Sequence, residues 1–231
     1  MTDKMVSAAQ KVAGTGTSIV GETAAYGPES IEGYYDEVFS IPPLLEAARA
    51  AADNINGLVV GCFDDTGVDA ARTLLDVPVI GICQAAMQAA TTLAGSFTVV
   101  TTLGRSVPAL EHLALRYGYE RSCRRVRACE VPVLALEQAE DDAVGRIRAE
   151  IAAALADDGS EAIVLGCAGM VDLTASLSEE FGVPVIEGVT VATKTIESLA
   201  SLGLKTSKRG GYARPAPKAY RGEFSRYAPD E

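Results

Sequence analysis

Histidine and tryptophan are almost absent from this 231-residue sequence, which contains one histidine, His112, and no tryptophan. A single histidine argues against a histidine-based zinc site and against a Ser-His-Asp triad. The five cysteines are odd in number, form no CxxC pair and do not have the spacing of metal ligands. We therefore expect free, reduced thiols and no bound metal.

Positive charge is scarce, and long apolar runs are absent. The formal net charge is −11 and the isoelectric point is near 4.7, which argues against general affinity for nucleic acid or anionic membranes. We interpret the one basic cluster, Arg121, Arg124, Arg125 and Arg127, as a solvated face or a subunit contact. No apolar run reaches the roughly 20 residues of a spanning helix, and no signal-peptide pattern opens the chain. The sequence therefore predicts a cytoplasmic protein.

Two stretches share one pattern: an apolar run, then Gly-Cys, then a glycine-containing turn and a helix-like segment. The first covers residues 57–67 and contains Cys62, and the second covers residues 161–172 and contains Cys167. A Val-Pro-Val-Ile segment follows each stretch, with its proline 16 and 17 positions after the respective cysteine. The sequence therefore predicts one structural unit that is used twice.

Apolar strands alternate with helix-like segments, which predicts an α/β fold with parallel sheets flanked by helices. The repeat divides the chain into two similar domains related by a pseudo-twofold axis, residues 1–95 with 190–231, and residues 96–189. The second half opens with a predicted strand at residues 96–102, whereas the first opens on a helix at residues 2–12. The first strand of the N-terminal half is thus missing. We interpret this as a chain that begins late rather than as a new architecture.

Three further predictions concern the linking segments. Residues 17–22 are predicted to form a short strand after Gly14 and Gly16, and residues 42–54 are predicted to form a helix. The basic, Pro- and Gly-rich tail from Lys205 onward is predicted to be irregular and to pack on a neighbour.

Cys62 and Cys167 each follow a glycine at the carboxyl end of a predicted strand and face the next helix. The helix dipole and free backbone N–H groups favour a thiolate there, which predicts a pKa lowered from about 8.5 toward neutrality. The pseudo-twofold axis would bring these two thiols face to face across one cleft. Cys83, Cys123 and Cys129 do not occupy such positions and are interpreted as packing residues.

Two equivalent acid–base groups on opposite faces of one carbon are suited to racemisation or epimerisation. One thiolate would remove a proton next to a carbonyl, and the opposite thiol would return a proton to the other face of the planar intermediate. The N–H groups at Phe63 and Asp64, and at Ala168 and Gly169, would hold the developing enolate oxygens. This chemistry requires no cofactor.

The sequence resembles the aspartate/glutamate/hydantoin racemase superfamily, in particular its hydantoin racemase branch, to which allantoin racemases are closely similar. The most specific match is Leu-Gly-Cys-Ala-Gly-Met at residues 165–170, and the matching segments span nearly the whole chain. These segments are residues 30–33, 36–37, 61–67, 78–82, 99–102, 163–170, 182–186 and 206–208.

The resemblance implies a two-domain α/β fold, cofactor-independent racemisation and a homo-oligomer. It places Cys62 and Cys167 on the two catalytic cysteines of the family, and Thr101 and Thr102 where hydroxyls and amides contact the substrate. The sequence departs from the family pattern in two ways. The leading strand with its Asn-Pro-Asn-Thr/Ser motif is absent, and Thr66 stands where proline is common.

A neutral cyclic ureide fits this sequence better than an amino-acid dicarboxylate, because no obvious basic clamp lies near either cysteine. We expect a 5-substituted hydantoin as the substrate, with allantoin as the alternative. An aspartate/glutamate racemase, an arylmalonate decarboxylase-type enzyme and a non-catalytic ureide-binding or redox-responsive protein are further alternatives. Arg105, the cation nearest to a candidate pocket loop, is interpreted as a surface residue.

Overall fold

Six short apolar runs form two parallel sheets in the computed structural model, which describes residues 1–137 and 141–229. The first sheet pairs β1 with β2, and the second has the strand order β4-β3-β5-β6. The strands are β1 (Leu58–Val60), β2 (Val79–Gly81), β3 (Phe97–Thr101), β4 (Cys123–Ala128), β5 (Ala162–Gly166) and β6 (Val185–Ile186). The predicted α/β fold with parallel sheets is confirmed, and the limits of the two domains stay a prediction.

Eight α-helices flank these sheets in the described part of the chain. They are α1 (Thr2–Val12), α2 (Tyr34–Ala51), α3 (Val68–Leu74), α4 (Ile82–Leu93), α5 (Val107–Arg116), α6 (Asp141–Asp157), α7 (Thr174–Phe181) and α8 (Gly188–Ser201). The start of α8 shows how local sequence sets a boundary, because the Glu187 carboxylate accepts the N–H groups of Val189 and Thr190. None of the helices within residues 1–137 and 141–229 is both long and apolar enough to cross a membrane.

The largest hydrophobic cluster joins the two halves of the chain. Met87 of α4 is fully buried together with Phe97 and Val99 of β3. Helix α8 packs on α4 and also on α1. Burial of both faces explains why β3 and β5 are almost continuous apolar runs rather than alternating ones.

Two predictions about the N-terminal half are wrong. Residues 17–22 form no strand; they run beside α1 with Val20 81% exposed, so they neither pair with a sheet edge nor bury an apolar face. Helix α2 begins at Tyr34, eight residues before the predicted start at Pro42. The proline pair Pro42 and Pro43 lies inside α2, and the preceding turn around Val38 is exposed, so water reaches the carbonyls that the prolines leave free.

The tail is irregular, as predicted, but it packs on α3 of its own chain. The N–H of Thr206 donates to the carbonyl of Asp76 at 2.8 Å. The ammonium group of Lys208 donates to the carbonyls of Arg72 and Leu75 at 2.5 and 2.6 Å. These carbonyls are unsatisfied at the end of α3, so a cation there stabilises the helix.

Candidate active site

The two cysteines lie in the same turn, each directly after the carboxyl end of a buried strand. Cys62 follows β1 after Gly61, and Cys167 follows the last residue of β5. The carbonyl of Cys62 accepts the N–H of Asp65 at 3.1 Å, and the carbonyl of Cys167 accepts the N–H of Met170 at 3.1 Å. The repeat seen in the sequence is therefore also a repeat of backbone geometry.

Each cysteine follows a glycine because another part of the chain lies against the backbone there. A Cβ atom on Gly61 would come within 2.7 Å of the Met5 sulfur, and one on Gly166 would come within 2.9 Å of the Thr101 Cα. Both distances are shorter than normal van der Waals contacts. A larger residue at either position would move α1 or β3 relative to the adjacent cysteine.

The pKa values of both thiols differ from the prediction. Burial raises the pKa of Cys62 to about 12 and that of Cys167 to about 11. Neither thiol caps an α-helix, because α3 begins six residues after Cys62 and a short 3-10 turn separates Cys167 from α7. The expected backbone donors are present: the N–H groups of Asp64 and Gly169 lower the pKa of Cys62 and Cys167, respectively, but burial outweighs them.

Asp64 is the charged group that the two thiols share. Its negative charge raises the pKa of Cys62 and also that of Cys167, so one carboxyl lies within electrostatic reach of both sulfurs. Burial, together with the charges of Glu37 and Asp65, raises the pKa of Asp64 itself to about 7. The thiols therefore lie in an acidic environment rather than a basic one.

Each thiol also has one neighbour of its own. The hydroxyl oxygen of Thr66 lies 3.4 Å from the Cys62 sulfur, and Thr66 is only 5% exposed. The positive charge of Lys4 lowers the pKa of Cys167, while its ammonium group donates to the carbonyl of Gly169 at 2.6 Å. The two thiols thus have the same backbone turn but different side-chain partners.

Asp65 holds the Cys62 turn against the second half of the chain, a role that the sequence analysis missed. It is 7% exposed and accepts the N–H groups of Cys83 and Gln84 at 2.9 Å each and the hydroxyl of Tyr117 at 2.7 Å. Burial raises its pKa to about 6, against the effect of these donors. The sequence signal was an acidic residue just before a glycine, a pattern common in turns.

Glu37 lies in the first turn of α2, behind the loop of residues 30–33. Its Oε1 atom is buried and has no hydrogen-bond partner among the described residues, and burial raises its pKa. The loop before it contacts the second half, because the N–H of Val133 donates to the Glu32 carboxylate at 3.1 Å. Arg105 is exposed, as predicted, and its side chain lies beside Gly33.

Metal ligation is not a property of this region. Within residues 1–137 and 141–229, no group of three or more His, Cys, Asp or Glu side chains is arranged to hold a metal ion.

Comparison with known families identifies the fold that carries these turns. Residues 1–196 match the family model described as Asp/Glu/Hydantoin racemase. The chain belongs to this family. It is an enzyme of the isomerase class, a racemase, and the predicted family assignment is confirmed.

Three similar proteins cover almost the whole of this racemase. The hydantoin racemase of Rhizobium meliloti is 47% identical over 96% of this chain and 92% of its own length. The hydantoin racemase of Pseudomonas sp. (strain NS671) is 38% identical over 98% of this chain and 92% of its own length. The solved allantoin racemase from Klebsiella pneumoniae superposes with a TM-score of 0.95 at 43% identity, covering 99% of this chain and 94% of its own.

The other predicted contact residues of this racemase differ in their surroundings. Phe63 and Ala168 are 5% and 7% exposed and belong to the same hydrophobic cluster. The hydroxyl of Thr101 donates to the carbonyl of Gly166 at 3.1 Å, so it joins β3 to the strand before Cys167. Thr102 is 4% exposed and follows β3 directly. Substrate contact by these four residues stays a prediction.

Proposed function

We propose that this racemase interconverts the enantiomers of 5-substituted hydantoins, with Cys62 and Cys167 as its two acid–base groups. The observation that carries the proposal is the matched pair of Gly-Cys turns in a chain so similar to curated hydantoin racemases. The reach of the Asp64 charge to both thiols supports a common site for the two sulfurs.

The proposed reaction moves one proton off and one proton onto the same carbon. One cysteine thiolate takes the proton from C5 of the ring, and the electron pair left behind spreads onto the neighbouring carbonyl oxygen. The opposite cysteine thiol then donates its proton to the other face of C5. A thiol with a raised pKa is rarely ionised, but its thiolate is a stronger base toward a weakly acidic C–H bond. No cofactor takes part in this scheme.

The backbone and the threonines complete the proposed site. The N–H groups of Phe63 and Asp64 in one turn, and of Ala168 and Gly169 in the other, would stabilise the enolate oxygens that gain charge. Thr101 and Thr102 would contact the ring through hydroxyls and amides. For Thr101 this requires its hydroxyl to exchange the Gly166 carbonyl for the substrate.

Replacing each thiol in turn tests the two-cysteine scheme. We expect Cys62→Ser and Cys167→Ser each to abolish racemisation of enantiopure 5-benzylhydantoin, followed as the decay of its circular dichroism. Exchange of the C5 proton with deuterated solvent is expected to survive for one enantiomer in each variant. Cys123→Ser is the matched control and is expected to keep full activity. Full racemase activity in either Cys62→Ser or Cys167→Ser would refute the scheme.

Allantoin racemisation is the second candidate, and the close superposition on the Klebsiella pneumoniae allantoin racemase favours it. Comparing the dichroism decay of single enantiomers of 5-benzylhydantoin and allantoin separates the two candidates by kcat/KM. Glutamate, aspartate and an arylmalonate serve as probes for the amino-acid racemase and decarboxylase alternatives. We expect none of these three acids to react.

The proposal includes self-association in a reducing cytoplasm. Tyr35, Val38 and Phe39 are 77%, 61% and 50% exposed on the first turns of α2, and so large an exposed apolar surface supports contact with a second copy. All five cysteines are free thiols, which is usual in a reducing compartment. Light scattering coupled to size exclusion is expected to give a multiple of the 24.0 kDa chain mass.

A further inference from the structure

A buried carboxylate oxygen without a partner calls for a physical explanation. The Oε1 atom of Glu37 has no donor among the described residues, although buried acceptors in proteins are nearly always hydrogen-bonded. Leaving such an atom unsatisfied destabilises a fold, so residues with this property are concentrated where a ligand supplies the missing bond. Glu37 therefore requires a donor that is not part of the described chain.

The place of Glu37 indicates which ligand supplies that donor. The charge of Glu37 acts on Asp64 and helps to raise its pKa, and the charge of Asp64 acts on the thiols of both Cys62 and Cys167. The two carboxyl groups, which we call the acidic pair, thus border the space around the sulfurs. A ligand that reaches the thiols also reaches the acidic pair.

No described cation neutralises the acidic pair. Among residues 1–137 and 141–229, neither Glu37 nor Asp64 forms a salt bridge with a basic side chain. Lys4, which is close to Cys167, is paired with Asp172 at 3.2 Å. Arg105 is exposed beside Gly33. The uncompensated negative charge of this region repels a substrate that carries a carboxylate of its own.

We propose that the acidic pair selects the substrate: Glu37 accepts a ring N–H of a neutral cyclic ureide, and both carboxylates exclude ureides with an acidic substituent. This proposal rests on the proposed function and adds the class of ring that the site accepts. A hydantoin ring offers two N–H donors beside the reacting C5–H, and a hydrogen bond to a carboxylate is among the stronger ones in proteins. Repulsion of a competing substrate is an effective source of specificity.

Two substrates that differ in one charge test the selection. The kcat/KM values for 5-benzylhydantoin and for 5-carboxymethylhydantoin are measured at pH 8 in the wild type, Glu37→Gln and Asp64→Asn. We expect the wild type to prefer the neutral ring. Each variant is expected to shift the preference toward the acidic ring by about tenfold, or about 1.4 kcal/mol. For Glu37→Gln, the KM for the neutral ring is also expected to rise.

Asp53→Asn is the matched control. It removes the same charge from an exposed residue that precedes β1, whereas Cys62 follows β1, so its effect on the preference is expected to be nil. An unchanged preference in both Glu37→Gln and Asp64→Asn would overturn the proposal. The proposed function would survive that result, because racemisation itself would persist.

A binding measurement keeps the test independent of catalysis. The probe 5,5-dimethylhydantoin has both ring N–H groups but no C5 proton, so calorimetry reports its affinity without turnover. We expect Glu37→Gln to weaken its binding severalfold relative to wild type, and Asp53→Asn to leave it unchanged. Equal affinities in wild type and Glu37→Gln would overturn the role of Glu37. Normal binding of the probe by a wild type that racemises no hydantoin would instead contradict the proposed function alone.

Discussion

Thr66 offers a sharp test of the site because it touches one thiol and not the other. Its hydroxyl oxygen lies 3.4 Å from the Cys62 sulfur, and its backbone N–H also lowers the pKa of that thiol. A hydroxyl accepts a hydrogen bond from S–H and, after rotation, donates one to a thiolate. Thr66→Val removes the hydroxyl and keeps the shape and the backbone N–H.

The size of the effect follows from this contact. A hydrogen bond to a charged group contributes about 1.5–3 kcal/mol, and the long contact to sulfur reduces this to about 1 kcal/mol for the Cys62 thiolate. About 1 kcal/mol corresponds to a thiolate population roughly fivefold lower. The more basic thiolate is also the better nucleophile, which offsets part of the loss. We therefore expect Cys62 to react about two- to fivefold more slowly in Thr66→Val.

Alkylation followed residue by residue measures this change. Iodoacetamide is added at pH 8.5, well below the pKa of about 12 for Cys62, so the initial rate is proportional to the thiolate fraction. Mass spectrometry of the peptides gives separate rates for Cys62 and Cys167. Thr66→Ser keeps a hydroxyl and is expected to restore the wild-type rate at Cys62. An unchanged rate at Cys62 in Thr66→Val, or an equal change at Cys167, would refute the reasoning.

Three further predictions concern charges around the site and the sheet. Lys4→Gln is expected to slow alkylation of Cys167 about twofold, because the thiolate loses a nearby positive charge; no change in this rate would show that the charge is fully screened. Asp65→Ala is expected to lower the free energy of unfolding in urea by about 3 kcal/mol, since three donors lose their acceptor; a loss below about 1 kcal/mol would contradict this account. Arg127→Met is expected to cost about 3–5 kcal/mol in the same assay, because it leaves the buried Asp158 carboxylate without its ion pair at 2.6 Å. A stable Arg127→Met protein would mean that Asp158 becomes hydrated. The protein concentration is held fixed in both unfolding assays.

The fold was largely predictable because strands and turns depend on residues close together in sequence. The apolar runs of β3 and β5 and the Gly-Cys turns at Cys62 and Cys167 were recognised from sequence, and the structure contains them. The strand predicted at residues 17–22 failed for the complementary reason. A strand requires a partner edge, and sequence alone does not reveal whether one is free.

The candidate site was predictable in its cysteines but not in the groups around them. Phe63 and Asp64 were singled out for their backbone N–H groups, yet the Asp64 carboxyl has the larger electrostatic effect on the thiols. Glu37 comes from α2, and Lys4 comes from α1. Neither is near a cysteine in sequence, so no local pattern connects them to the site.

The sequence by itself determined the duplicated unit, the parallel α/β architecture and the pair of cysteines, because each is written in short runs of neighbouring residues. Only the tertiary structure decided the protonation of the thiols and the acidic character of their surroundings. Helix α1 packs Met5 against Gly61 and bonds Lys4 to the carbonyl of Gly169, so elements far apart in the chain bury both turns. Burial and long-range charge depend on that packing, and they outweigh the local N–H groups that the sequence predicted to control the pKa.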